Sequence, residues 1–206
     1  MKCAFFDTVW NDKFGRLLSA GLCVLFAWSA FEPYGRGIWC VEAATAVAAY
    51  AVFALFAANF KFSRTAYAIF CLWVAMQIVG AHYSFELVPF DWITNAIGAS
   101  RNHYDRLSHF AVGLNAYAVA EYLHGRGIVN SMKSAAVFGV VAIMALANLW
   151  ELIEWGYAEI DGGEVGAAFL GSQGDVWDAQ KDMLADTLGA LVGATLFAAA
   201  GKKRLP

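Results

Sequence analysis

The run Lys133–Trp155, KSAAVFGVVAIMALANLWELIEW, decides how this chain is read. Between Lys133 and Glu151 it carries no charged side chain. A hydrocarbon layer of about 30 Å needs about 20 helical residues, and this run supplies them. Its ends differ. A lysine marks one, whereas Asn148, Glu151, Glu154 and Trp155 crowd the other.

Applied outward in both directions, the same length criterion finds five further runs. They are Phe14–Phe31, Ile38–Phe60, Thr65–Tyr83, Asp105–His124 and Asp182–Ala200. The 206 residues are 60% hydrophobic and 15% charged, well below the charged share of about 25% that a soluble domain carries. The predicted fold is therefore an all-α integral membrane bundle of about six transmembrane helices, a single domain over residues 1–206. A net charge of −3 without a basic patch excludes a nucleic-acid partner. Membrane lipids are the partner that composition itself demands. The first run lacks an A-x-A site and reads as a retained helix, not a cleaved signal. Cys23 and Cys71 lie in apolar runs, and Cys3 and Cys40 are isolated, which speaks against a zinc knuckle or a disulfide framework.

Basic residues set the orientation. If the helices alternate, Lys2, Lys13, Arg16, Lys61, Arg64, Arg126, Lys133, Lys202, Lys203 and Arg204 share one side. Arg36, Arg101, Arg106 and Lys181 are on the other. The richer side faces the cytoplasm, so both termini are expected inside a bacterial inner membrane. Trp39, Trp92, Trp155 and Trp177 suit the interfaces as anchors.

Polar residues sort by depth. Asp105, Arg106 and His109 of the fourth span, Glu151 and Glu154 of the fifth, and Asp182 and Asp186 of the sixth all fall near the outer face, as do Glu42 and His82. Charge within a bilayer costs about 2.5–3.5 kcal/mol per residue at its centre on insertion scales, so these groups should face protein or a water-filled cavity. On the sixth helix Asp178, Asp182, Asp186, Gly189 and Gly193 share a stripe of roughly 80°, and Gly189-xxx-Gly193 admits a neighbouring helix. Asn148, Glu151 and Glu154 recur every three residues and are expected to join them. Crowded carboxyls must be protonated, paired or bound to a cation. A divalent metal ion is one solution: carboxylates alone suit Mg²⁺, Ca²⁺ or Mn²⁺, and His109 admits Zn²⁺ or Fe²⁺. The bland alternatives are headgroup-level capping by Asp105 and Arg106, helix capping by Asp175 or Asp178, and a packing role for His109. The Gly-rich stretch Asp161–Gly174 lacks a phosphate-loop lysine and reads as an irregular outer loop.

Four segments carry a resemblance. His82-Tyr83-Ser84-Phe85, Arg101-Asn102-His103-Tyr104-Asp105-Arg106-Leu107-Ser108-His109-Phe110, Glu151-Leu152-Ile153-Glu154-Trp155 and Gly171–Met183 resemble the YjdF-like inner-membrane proteins of bacteria. That likeness implies an address and no particular reaction. A looser one is to VanZ-like membrane proteins, whose D-K-x-x-H-F, E-x-x-Q and D-x-x-x-N-x-x-G would fall on Asp105, Arg106, His109 and Phe110, on Glu151 and Glu154, and on Asp182, Asp186 and Gly189. Arg106 replaces the lysine, and Glu154 and Asp186 add acids where that pattern has amides.

Three functions compete. The first is an outer-leaflet site, or enzyme, for a lipid or envelope headgroup. There His109, Asp105 and Glu151 would do acid–base work, Asp182, Asp186, Glu154 and Asp178 would hold a metal, and Arg106, Arg101 and His103 would meet the anionic substrate. The second is a proton- or solute-coupled transporter, although its charged residues stop halfway down. The third is a structural or sensing protein whose polar cluster fixes helix packing. Topology can be checked directly. A reporter fused after Arg204 should read as cytoplasmic and one near Gly163 as periplasmic, and a periplasmic C-terminus would remove the outer-facing site.

Overall fold

The computed structural model describes residues 12–96, 98–161, 163, 170 and 172–202, apart from the side chains of Asp161 and Lys202. Lys2, Cys3, Lys203, Arg204, Gly171 and the segment 164–169 of the expected outer loop lie outside the described residues. Among the described residues eight helices follow one another: α1 Lys13–Ser29, α2 Arg36–Ala57, α3 Arg64–Tyr83, α4 Asp91–Ala96, α5 Tyr104–Gly113, α6 Ala116–Gly125, α7 Met132–Asp161 and α8 Asp178–Lys202. Among the described residues there is no strand.

α2, α3, α7 and α8 are long and apolar enough to cross a membrane. α1, with 17 residues, and α5 with α6 in series complete the six-segment bundle. Its outward face is apolar, with Leu17, Val24, Leu55 and Val137 each more than 60% exposed. In water such a surface would aggregate; against lipid it is the favourable one.

Local sequence sets the helix ends. Asp12 accepts from the Phe14 amide at the start of α1, and Ser63 accepts from Ala66 at the start of α3. α3 stops at Ser84, whose φ of 61° is left-handed. Glu121 near the end of α6 receives the amide and hydroxyl of Ser63 at 3.1 and 3.0 Å, which ties α6 to the start of α3.

Three expected boundaries move. α7 runs on to Asp161, and α8 starts at Asp178. The span expected at Asp105–His124 is two helices, α5 and α6. At the break the Asn115 amide bonds Val112 and the Tyr117 amide bonds Leu114, both three residues back, which tightens the turn. The Asn115 side chain takes up the carbonyls of Ala111 and Val112.

α1 and α2 each pack on α3, while α5, α6 and α7 all pack on α8; α3 joins the halves by leaning on α5 and α6. The first half is held by Leu22, Ala46, Phe70 and Val74 and by a hydroxyl trio. In that trio Ser19 Oγ lies 2.7 Å from the Tyr50 hydroxyl and 2.6 Å from that of Tyr67. The second half closes on small residues: Ala116, Ala120, Ala135 and Ala190 are 0% exposed. α5 and α8 run parallel in near contact. A Cβ on Gly113 would collide with the backbone of Asp186 and Ala190, and one on Gly189 with the Phe110 carbonyl.

That contact yields a test. Gly189→Val should cost about 1–3 kcal/mol or more through overpacking, whereas Gly21→Ala, whose new methyl meets nothing within 4 Å, should raise stability by up to about 1 kcal/mol. Thermal unfolding in detergent reads both. Equal melting of the two variants would mean that the helices tolerate a side chain at their crossing.

Candidate functional site

The helix crossing places the polar groups. His109 stands one turn beyond Gly113 on α5, and Asp186 nearly one turn beyond Gly189 on α8. Parallel helices touching at those glycines therefore bring His109 and Asp186 to the same level. His109 Nδ1 lies 2.8 Å from Asp186 Oδ2, and its Nε2 faces Asp105 Oδ1 at 3.6 Å. With Asp186 ionised, Nδ1 is the donor in this bond, and the Nε2 lone pair is left for another partner.

Asp182 completes a triangle. One oxygen each of Asp105 and Asp182 and one nitrogen of His109 lie within 4.8 Å of one another. Asp182 is 3% exposed and Asp186 1%. Asp182 Oδ1, Asp186 Oδ1 and Glu151 Oε1 are buried and accept no hydrogen bond among the described residues. Buried acceptors without donors are costly, so three of them in one neighbourhood signal a missing partner.

Asp178 is turned elsewhere. Arg106 Nη2 donates to Asp175 Oδ2 at 2.8 Å and to Asp178 Oδ1 at 2.7 Å. Arg101 Nη1 pairs with Asp178 and donates to the Ser172 carbonyl at 3.3 Å. Lys181 reaches Asp175 at 2.6 Å, and Asn102 and Gln173 bond each other twice. The chain before α5 is thus stapled to the chain before α8. Arg101 and Arg106 hold this cap, although Arg106 Nε also stands 3.5 Å from Asp182 Oδ1. His103, just before α5, is kept below its ordinary pKa by burial and by Arg106 and Arg101.

A cavity of about 220 Å³ opens beside the triangle. Asp105, His109, Asp186 and Glu154 line it, and so do Glu42 of α2 and Gln77 of α3. Glu42 is 4% exposed and accepts from Gln77 Nε2 at 2.7 Å. Glu154 accepts from Trp150 Nε1 at 2.6 Å. Glu151 lies within electrostatic reach of His109, Asp182, Asp105 and Asp186. Asn148, expected on the same face, is exposed. Three-residue steps rotate by about 300°, so each falls about 60° short of a full circle and the stripe leaves the interior. His82 bonds the Ser29 carbonyl at 3.0 Å, away from the cavity.

Sequence reading had put Glu42 at this depth without assigning it to the site, and it missed Gln77. The available signal was an acid and an amide, each alone in an apolar run. Asp175, one of the two caps that the sequence suggests for α8, accepts at Oδ1 from the Trp177 amide at 3.1 Å, in a turn just before the helix and not from the helix's own first amides.

The cap should respond to acid. Bonds from Lys181, Arg106 and the Trp177 amide hold the Asp175 carboxyl well below the usual carboxylate range. A depressed folded-state pKa contributes stability that is complete above the unfolded value and is lost as pH falls through the folded one. Asp175→Asn should therefore melt earlier than the natural protein at pH 7, by a constant margin that narrows only below about pH 4. Melting curves from pH 3 to pH 8 in detergent check this, and superimposed curves at pH 7 would show that the staple contributes nothing.

The family described as "Predicted membrane protein (DUF2238)" matches residues 14–203. The inner membrane protein YjdF of Escherichia coli (strain K12) is 30% identical over 179 residues, covering 86% of this chain and 85% of that protein. No solved structure matches. With the family's pattern running from the first helix to the last, this chain belongs to the DUF2238 family of predicted membrane proteins.

Proposed function

We propose that this protein resides in the bacterial inner membrane and binds a divalent cation at its outer face, through Asp105, His109 and Asp182. One observation carries the reading: three buried or half-buried ligand atoms from two helices converge within 4.8 Å, while Asp186 holds the far side of the imidazole. A tetrahedral shell of about 2.1 Å radius separates its ligand atoms by about 3.4 Å, so small rotations of the two aspartates close the set. Two carboxylates and one imidazole suit Zn²⁺, Mn²⁺ or Fe²⁺ better than Ca²⁺. Three protein ligands leave a position open for water or substrate, as metal sites that do chemistry require. Glu151, with an unpartnered oxygen nearby, is the group placed to move a proton there.

A carrier is the second reading, favoured by the α5–α6 break, since discontinuous helices line the sites of many transporters. It demands Asn115 at the break, and the cation site does not. Purified protein should contain about one equivalent of metal, lost in Asp182→Asn and His109→Ala but kept in Asn115→Leu. Saturating metal at about 100 times Kd should add about 2.7 kcal/mol of stability to the natural protein and little to Asp182→Asn. Metal-free protein whose melting ignores both added ion and chelator would leave the cluster as a packing device.

A further inference from the structure

The cavity beside the triangle has two kinds of wall. One part of its lining is polar, with Glu42, Asp105, His109 and Asp186. Its flank on α7 is formed by Leu146, Leu149 and Ile153. These three leucine and isoleucine side chains are 55%, 53% and 47% exposed, so they belong at once to the cavity and to the outward apolar face. α2 contributes Ile38 and Thr45 to the same lining, and α2 and α7 do not form a packed helix pair. Residues that line the cavity are thus also residues that meet hydrocarbon. On the outer side the staple of Arg101, Arg106, Asp175 and Asp178 closes the neighbouring loops over the helix ends.

From this we infer that the occupant is a membrane phospholipid that enters between α2 and α7, its chain along Leu146, Leu149 and Ile153 and its phosphate at the cation. The inference rests on the cation reading above and adds the ligand class and the route. Asp105 and His109 line the cavity as well as the triangle, so an occupant of the cavity meets two of the three groups that would hold the ion. Without the ion the acids would repel a phosphate; with it, a phosphate oxygen is the natural further ligand. Asp186 lines the cavity and its buried Oδ1 lacks a donor, which a headgroup hydroxyl or ammonium would supply. Water-borne phosphate would need no apolar wall, which is why the lipid is the source favoured here.

Mn²⁺ is the probe. The full-length protein is loaded with substoichiometric Mn²⁺ in phosphatidylglycerol nanodiscs and examined by electron–nuclear double resonance. Coupling to an imidazole nitrogen identifies the ion at His109 and separates it from Mn²⁺ on bulk lipid. The expected result is phosphorus coupling on that same population. Ala147→Phe, which fills the cavity, and Leu149→Trp, which blocks its mouth at a half-exposed position, should each lose the phosphorus coupling and keep the nitrogen coupling. Absence of nitrogen coupling in the natural protein would overturn the cation reading and the lipid with it. Nitrogen without phosphorus overturns the lipid alone. Equal phosphorus coupling from inorganic phosphate in detergent, or its survival in both variants, would mean that the route opens to water.

Discussion

The near contact of α5 and α8 at Gly113 and Gly189 is the constraint on which the remaining geometry depends. Helix pairs ordinarily keep their axes about 8–10 Å apart. Here the Phe110 carbonyl occupies the space that a Gly189 side chain would need. Small residues allow such an approach in lipid, where association rests on packing rather than on expulsion of water. Because the helices are parallel and locked at the glycines, residues one turn outward must also meet. The 2.8 Å bond between His109 and Asp186 is thus a consequence of backbone contact, not an independent attraction. Further inward the same register brings Leu114 onto Gly193 and the Tyr117 ring to 5.9 Å from Phe197.

Burial of charge then divides the end of the bundle where α5 and α8 begin into two zones. Asp175 and Asp178 take Arg101, Arg106 and Lys181. This group is partly wetted, and each charge has a partner. Beneath it, Glu42, Asp105, Glu151, Glu154, Asp182 and Asp186 share His109 and one edge of Arg106. A low-dielectric interior does not tolerate that excess as free charge. Protons or a cation must make up the difference, and the unfilled acceptors on Asp182 and Asp186 are where the shortfall is visible. The opposite end has no such tension: the hydroxyls of Ser19, Tyr50 and Tyr67 satisfy one another, and Glu121 is used on Ser63.

Much of this was legible from residue order because the bilayer imposes a length and a depth on each helix. The apolar runs located the spans, and the depth of Asp182, Asp186, Glu151 and His109 followed from counting. The stripe Asp182–Asp186–Gly189–Gly193 could be read because α8 is one unbroken helix. Where regularity failed, the reading failed with it. The turn at Leu114–Asn115 divides a span that hydropathy leaves whole, since a tightened turn changes hydrogen bonding and leaves polarity untouched. The outward swing of Asn148 is a small angular error accumulated over one turn. Which carboxyl meets an arginine and which a histidine depends on how the loops before α5 and α8 fold together. The bonds between Asn102 and Gln173, more than seventy residues apart in sequence, decide that.

Asp186 shows how one oxygen can change what the same scaffold does. A carboxylate accepts hydrogen bonds and cannot donate them while ionised, so opposite His109 it assigns the imidazole proton to Nδ1. Nε2 is then the nitrogen left to face Asp105 at 3.6 Å and to serve as a metal ligand. An asparagine in that place, as in the VanZ-like pattern, presents either a carbonyl or an amide group. It would let the imidazole choose either tautomer and would remove one charge from the crowded zone. Both effects would weaken the proposed cation binding and ease burial. The extra acid in this chain is therefore better explained by what it holds in place on His109 than by helix packing, for which the neutral side chain would serve as well.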